Sequence, residues 1–364
     1  MERKRLAVLT GIFILILALT SLPFMAACGE PTPAPTPAPT PEKPIELTYA
    51  QFLPPQEPDC IASVELIEKL EAATDGKLQI ELFPAGALFS APEAYDSIMQ
   101  GVADMGNVYY GYAPGRFPVL EAFETPGVIF NNSLATSLAV YEGYKRLMPI
   151  DEVSEVKNIW AYGNCSYILL LATKPVRTLE DMEGLEIRST GISAKAITLL
   201  GGTPLAMSIG ESHEAMSKGT VDGNLICFLT LETFKYADVV KYVTIAHGLA
   251  AGVFGFAMNL DTWNSLPADI QDTFTKVCDE HVARCGELWN EANLHGMEWT
   301  KENYPDIEFI ELSDAEQARW LEKLSPAQDD YIAEKTKLGL PAKEIIDLVN
   351  EVAAKYNKIY TSPY

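Results

Sequence analysis

Beyond residue 44 the chain alternates short apolar runs with amphipathic stretches. Ile45 to Leu53 has the pattern of a strand, and Cys60 to Thr74 that of a helix with Asp59 as its N-cap. Asp75-Gly76 turns the chain into a second strand, Lys77 to Phe83. Ser90-Ala91-Pro92-Glu93 is a capping box with proline in the first turn, so a helix is expected from there to Gln100, stopped by Gly101. A third strand follows near Ala103 to Val108. The order β-α-β-α-β predicts a mostly parallel sheet with helices on its faces.

The same order recurs further on. Leu185 to Ser189, Thr203 to Met207 and Thr220 to Ile226 read as strands, separated by helices at Ile192 to Leu200 and Glu211 to Lys218. Two helix-to-strand junctions resemble each other. Met99-Gln100-Gly101-Val102-Ala103-Asp104 leads to Gly106-Asn107, and Ser217-Lys218-Gly219-Thr220-Val221-Asp222 leads to Gly223-Asn224. Two similar α/β lobes are therefore expected. Two strand-like stretches, Ile159 to Thr173 and Gly252 to Asn259, are candidates for crossings between them. After Leu266-Pro267 a helical pattern without proline runs from Asp269 to Asn303 and would brace both lobes. Lobe I would comprise residues 45–165 plus about 253–290, and lobe II residues 166–252 plus about 291–364. Ligands of open α/β sheets bind at the carboxyl ends of strands, so two facing lobes define a cleft that can close like a flytrap.

The first 44 residues do not belong to this fold. Glu2, Arg3, Lys4 and Arg5 precede an uncharged apolar run from Leu6 to Leu22, and Met25-Ala26-Ala27 precedes Cys28. That is the layout of a secretory signal over residues 1–27, with Cys28 placed as in a lipobox, where the cysteine is acylated and becomes the first residue. Residues 28–44 would be a tether: Glu30 to Pro44 holds seven prolines, which favours an extended spacer of roughly 40 Å over packed structure. The body is thus expected outside the cytoplasm, held to the membrane by lipid. The formal net charge is -23, and loss of residues 1–27 removes two net positive charges, leaving -25. Such a surface repels phosphate backbones, which argues against a nucleic-acid partner. Five scattered cysteines besides Cys28 (Cys60, Cys165, Cys227, Cys278 and Cys285) suit no disulfide scaffold; one bridge would fit an exported chain, but spacing does not assign it.

Arg188 is the first candidate for chemistry. It closes the strand Leu185 to Ser189 in a lobe with few other basic residues, and a guanidinium there can hold a carboxylate by two parallel hydrogen bonds. The segment leading to it, Thr178-Leu179-Glu180-Asp181-Met182-Glu183-Gly184-Leu185-Glu186-Ile187-Arg188, resembles the corresponding stretch of the extracytoplasmic solute-binding subunits of TRAP transporters, the DctP family. So do Phe83 to Leu88, Gln100 to Met105, Gly201-Gly202-Thr203-Pro204, Met216 to Gly223, Lys235 to Val243 and Asn264 to Ala268, in the family's order across about residues 45 to 290. The resemblance implies a two-lobe flytrap that captures an organic acid, an arginine (here Arg188) paired with the substrate carboxylate, and a membrane permease partner.

Departures from the family pattern narrow the ligand. Ile168 stands where many members carry a second arginine, and Leu225 and Ile226 stand where they carry acidic and amide groups. One arginine among apolar walls suits a monocarboxylate with an apolar or aromatic body better than a C4-dicarboxylate. Tyr109, Tyr110 and Tyr112 follow the third strand, where Tyr109 and Tyr110 are the foremost candidates for ligand contact. Gln51 and Phe52 at the end of the first strand, Asn164 and Tyr167 in the first crossing, and Asn224 and Phe228 around the strand Thr220 to Ile226 complete the expected set.

Cys278, His281 and Cys285 share a helical face at a spacing zinc ligands can have, but the same spacing describes a core stripe, and core is the expectation. No metal or cofactor is expected. No Ser-His-Asp order, nucleophile elbow, P-loop or HExxH motif occurs, so a binding protein is favoured over its two rivals, an exported α/β enzyme and a ligand-sensing receptor built on the same clam.

Overall fold

The computed structural model describes residues 43–148 and 152–361. The expected signal, Cys28 and the tether up to residue 42 lie outside them. Eleven strands among the described residues build two sheets.

The first sheet has the order β2-β1-β3-β10-β4, from β1 (Ile45–Ala50), β2 (Leu78–Phe83), β3 (Met105–Tyr109), β4 (Val156–Ser166) and β10 (Ala251–Asn259). The second has the order β11-β9-β5-β8-β6-β7, from β5 (Ile168–Leu171), β6 (Glu186–Arg188), β7 (Thr203–Leu205), β8 (Gly223–Ile226), β9 (Tyr242–Ile245) and β11 (Glu308–Glu311). Strand β10 runs antiparallel to both its neighbours, and so does β5. These are the two strands by which the chain arrives from the opposite lobe. Their reversed direction follows from entry at the cleft, where the other strands end.

The expected Ile159–Thr173 crossing is thus two strands, one in each sheet, separated only by Tyr167. The second crossing, from β9 to β10, runs beside it. Tyr167 N–H donates to the Ala250 carbonyl at 2.9 Å, and Asn164 Oδ1 accepts from the Cys165 and Gly252 amides at 2.6 and 2.8 Å. The two hinge segments are stitched together by these bonds.

The helix Ala268–Asn303 braces both lobes, as its pattern predicts. Ile270, Phe274, Cys278, Val282 and Cys285 pack under the first sheet, while Trp289 enters the core of the second. Gly296 lies so close to Leu229 that a Cβ there would stand 2.6 Å from its Cα. The sequence places residues 291–364 with lobe II, and here the packing differs. Helix Asp314–Leu324 buries Trp320 and Leu324 in the second lobe, but Tyr331, Ile345, Ile346, Val349 and Val352 of the last two helices, Pro326–Thr336 and Ala342–Ile359, join the core of the first. The amphipathic stripe of the last helix specifies burial but not the sheet that receives it.

Local signals account for most boundaries. The Ser90 capping box forms, with Ser90 N–H donating to Glu93 Oε2 at 3.1 Å. The expected Asp59 N-cap does not. The helix Pro58–Ala73 begins two residues earlier, Glu57 is its N-cap residue, and Asp59 is buried within the first turn. The two similar junctions match in detail. Gly101 and Gly219 both end helices at positive φ, 75° and 70°. A Cβ on Gly106 would stand 2.5 Å from the Ala50 carbonyl oxygen and one on Gly223 2.4 Å from that of Leu170. Each glycine admits a neighbouring strand at the same step of its lobe.

Candidate ligand-binding site

The carboxyl ends of β1, β3, β6 and β8 converge on a cavity between the lobes. The loop after β1 contributes Phe52, Leu53 and Glu57; the end of β3 contributes Tyr109 and Tyr112. Strand β10 supplies Phe254, the long helix Trp289, and the first crossing Asn164 and Tyr167. From the second lobe come Arg188, Thr190, Ile209, Ile226, Cys227 and Thr230.

One side is aromatic. Tyr109 stacks on Phe254 with centroids 4.9 Å apart and meets Tyr112 edge-on at 5.1 Å. Phe254 also stacks with Phe52 at 6.5 Å and lies 6.3 Å from Trp289. Asp59, displaced from the cap, orients this wall: its Oδ1 accepts from Trp289 Nε1 at 2.8 Å and from the Tyr162 hydroxyl at 2.7 Å. Burial pushes the Asp59 carboxyl up to about 6, against the pull of those donors.

The facing side carries the charge. Arg188 is only 4% exposed. Its Nε and Nη2 donate to the Met207 carbonyl at 3.1 and 2.9 Å, and Nη2 reaches the Tyr112 hydroxyl at 3.4 Å. Among the described residues it has no carboxylate partner, and Nη1 has no hydrogen bond. A buried guanidinium held from behind by a carbonyl keeps its charge for a visiting anion, because desolvated charge needs a counter-charge.

Besides the Arg188–Tyr112 bond, two more join the lobes across the cleft. Tyr112 Oη accepts from the Ile209 amide at 3.1 Å, and the Tyr109 hydroxyl pairs with Thr190 Oγ1 at 3.1 Å. Gly191 approaches Gly111 so nearly that a Cβ would stand 2.9 Å from its carbonyl oxygen. A disulfide joins Cys165, near the end of β4, to Cys227, just past β8, and so links the sheets beside the hinge. Nothing in the spacing of the cysteines marks this pair. Cys60, Cys278 and Cys285 are free and buried. His281 Nε2 lies 2.8 Å from the Ala62 carbonyl oxygen, so the Cys278-His281-Cys285 stripe sits in core. Among the described residues no cluster of three or more metal-binding side chains occurs.

Of the expected contacts, Arg188, Tyr109, Asn164, Tyr167 and Phe52 line the cavity. Gln51, Tyr110, Asn224 and Phe228 do not. Gln51 Oε1 accepts from the Leu53 amide at 3.1 Å and shapes the turn after β1. Tyr110 points away from its neighbour Tyr109, into the first core, where its hydroxyl bonds Asn158 at 2.9 Å. Asn224 Nδ2 donates to Ser212 Oγ at 3.4 Å beneath β8, and Phe228 stacks on Phe309. Of the two apolar replacements, Ile226 faces the cavity and Leu225, one residue earlier, faces the opposite core. Tyr112, which follows β3 with the two other tyrosines, also lines the cavity, and Glu57, Phe254 and Trp289 are among the lining residues outside the expected set. Phe254 and Trp289 sit in runs that read simply as core.

The sequence profile of the bacterial extracellular solute-binding proteins, family 7 (DctP), matches residues 49–335. The chain belongs to this family. It is 24% identical over 335 residues to the C4-dicarboxylate-binding periplasmic protein DctP of Rhodobacter capsulatus, covering 91% of this chain and 94% of that one. Its fold matches a TRAP periplasmic solute-binding protein of Desulfovibrio salexigens with TM-score 0.76 at 31% identity, over 86% of this chain and 96% of the other. It also matches a TRAP solute-binding protein of Rhodoferax ferrireducens, complexed with copurified benzoate, with TM-score 0.80 at 22% identity, over 87% and 99%. A DctP-family TRAP protein is a receptor, not an enzyme: it captures small organic acids outside the cytoplasm and works with membrane permease subunits.

Proposed function

We propose that this DctP-family receptor captures a monocarboxylate with an aromatic or apolar body in preference to a C4-dicarboxylate. The observation that carries this is the lining itself: one unpaired Arg188 opposite a wall of Phe52, Tyr109, Tyr112, Tyr167, Phe254 and Trp289. Among the described residues no second cation lines the cavity to neutralise a second carboxylate, whose burial unpaired costs several kcal/mol. The benzoate held by the Rhodoferax relative is a ligand of this kind. Arg188 would pair with the carboxylate, the aromatic residues would enclose the body, and Asn164 and Tyr167 would bend with the hinge as the lobes close.

The test is a melting-point screen of the exported protein against benzoate, phenylacetate, branched aliphatic acids, succinate and malate. A ligand at one hundred times its Kd adds about 2.7 kcal/mol, readily seen as a shift. Stabilisation by the aromatic or branched acids supports the proposal, and stabilisation by succinate or malate alone overturns it. We further propose that Cys28 is acylated and that residues 28–44 tether the body. The Cys28→Ser protein should then leave the membrane fraction for the soluble one; retention in the membrane would refute the anchor.

A further inference from the structure

Among the described residues Glu57 is the one carboxyl group lining the cavity. It is 1% exposed, and its Oε1 has no hydrogen-bond partner. As N-cap residue it does not cap: no side-chain bond reaches the first turn of Pro58–Ala73. A buried oxygen without a partner is costly, and this one stands where a ligand would supply the missing bond. Glu57 comes from the first lobe and Arg188 from the second, so they offer one ligand two polar points from opposite sides.

We propose that Glu57 is a specificity residue of the cleft, bonding a hydroxyl or carbonyl group that the ligand carries in addition to its carboxylate. This rests on carboxylate capture at Arg188 and refines the ligand class to hydroxy- or oxo-substituted aromatic monocarboxylates. Burial pushes the Glu57 carboxyl up to about 8, helped by Asp59 two residues on and opposed by the Thr233 hydroxyl. Other charged groups around it are Arg188 across the cavity and Glu232 on the helix Thr230–Thr233, which lies 3.0 Å from His295. At neutral pH the group is therefore a neutral carboxyl, able to donate to a hydroxyl or carbonyl oxygen and to accept from a hydroxyl. Once ionised it repels any anion in the cavity. A second ligand carboxylate at this point would meet an acid instead of a cation, which also disfavours dicarboxylates.

Calorimetric titration with benzoate, 3-hydroxybenzoate and 4-hydroxybenzoate tests this on the wild-type protein, Glu57→Gln and Glu57→Leu, at pH 6.5 and pH 9. One hydroxybenzoate should bind wild type at least tenfold more tightly than benzoate at pH 6.5, and the advantage should fall below threefold in Glu57→Leu. All three acids should bind wild type more weakly at pH 9, while Glu57→Gln shows no such loss. Benzoate binding without a hydroxyl preference, or a preference that survives Glu57→Leu, overturns the inference and leaves carboxylate capture standing. Failure of wild type to bind any of the three acids overturns both.

Discussion

Arg188 owes its orientation to one neighbour. The Met207 carbonyl takes Nε and Nη2, and this fixes the plane of the guanidinium with the remaining edge toward the cavity. A lysine at the same place would keep the charge but lose the planar fork and the bond that orients it. Arg188→Lys should therefore weaken acid binding by about 1–2 kcal/mol and Arg188→Gln by about 2–4 kcal/mol, since the second leaves a desolvated carboxylate unpaired. Titration calorimetry on proteins whose far-ultraviolet circular dichroism matches wild type would read both. Losses of a few tenths of a kcal/mol in Arg188→Gln would remove Arg188 from the binding role. Arg188 was legible in the sequence because a basic residue closing a buried strand has few structural uses. Tyr109 and Tyr110 were not separable, because which of two adjacent aromatics faces the cleft depends on the exact end of β3. Glu57 carried no signal at all: before a helix, a glutamate reads as an ordinary residue of the first turn, and only the packing of Asp59 and Thr233 around it shows its burial.

At the level of elements, the strand order and the repeated glycine steps were readable, because a helix stopped by glycine before a buried strand leaves a local trace. The two strand-like crossings between the lobes were readable as well, but the bonds that hold them together were not. The hinge consists of Tyr167 and Ala250 held by a backbone bond, of Gly252 held by the Asn164 side chain, and of a disulfide whose partners lie 62 residues apart. Long-range pairing of this kind leaves no periodicity to find. The Cys165–Cys227 bond closes a loop that runs through β5, β6, β7 and β8, and for that loop length chain entropy predicts about 4 kcal/mol of stabilisation, with measured values for such bonds commonly 2–4 kcal/mol. The paired Cys165→Ala, Cys227→Ala protein should lose about that much in denaturant unfolding. Because Cys227 also lines the cavity and Asn164 Nδ2 lies 3.7 Å from its sulfur, ligand affinity should fall along with it. Unchanged stability in the paired variant would show that the bond does not restrain the unfolded chain.

Over the whole molecule, the buried acids make stability depend on pH in an unusual direction. Burial raises Glu57 and Glu124 to about 8, Glu152 to about 7 and Asp59 to about 6, from ordinary values of 4.5 for the glutamates and 3.8 for the aspartate. Between those ordinary values and the raised ones the folded chain keeps protons that the unfolded chain has released. Stability then falls as pH rises, most steeply between about pH 5 and 8, and flattens above. Carboxyls lowered by their partners, such as Glu65 beside Arg284 and Glu180 beside Arg319, are ionised in both states throughout this window and contribute no slope there. His281 runs the other way. Its pKa is lowered mainly by burial, so protonation of the unfolded chain costs stability as pH falls through its range. One histidine stands against four carboxyls, and the net slope should be negative. Calorimetric melting at constant ionic strength should show Tm falling from pH 5 to pH 8, in contrast to a protein whose carboxylates are mostly salt-bridged. Glu124→Gln isolates one contribution. Its amide oxygen can still accept from the Val253 amide, which Glu124 Oε1 meets at 2.6 Å, but it has no proton to lose, so the variant should show a visibly shallower slope. A wild-type Tm that is flat or rises across that interval would mean the buried carboxyls are ionised in the folded protein, and the neutral form assigned to Glu57 would fall with them.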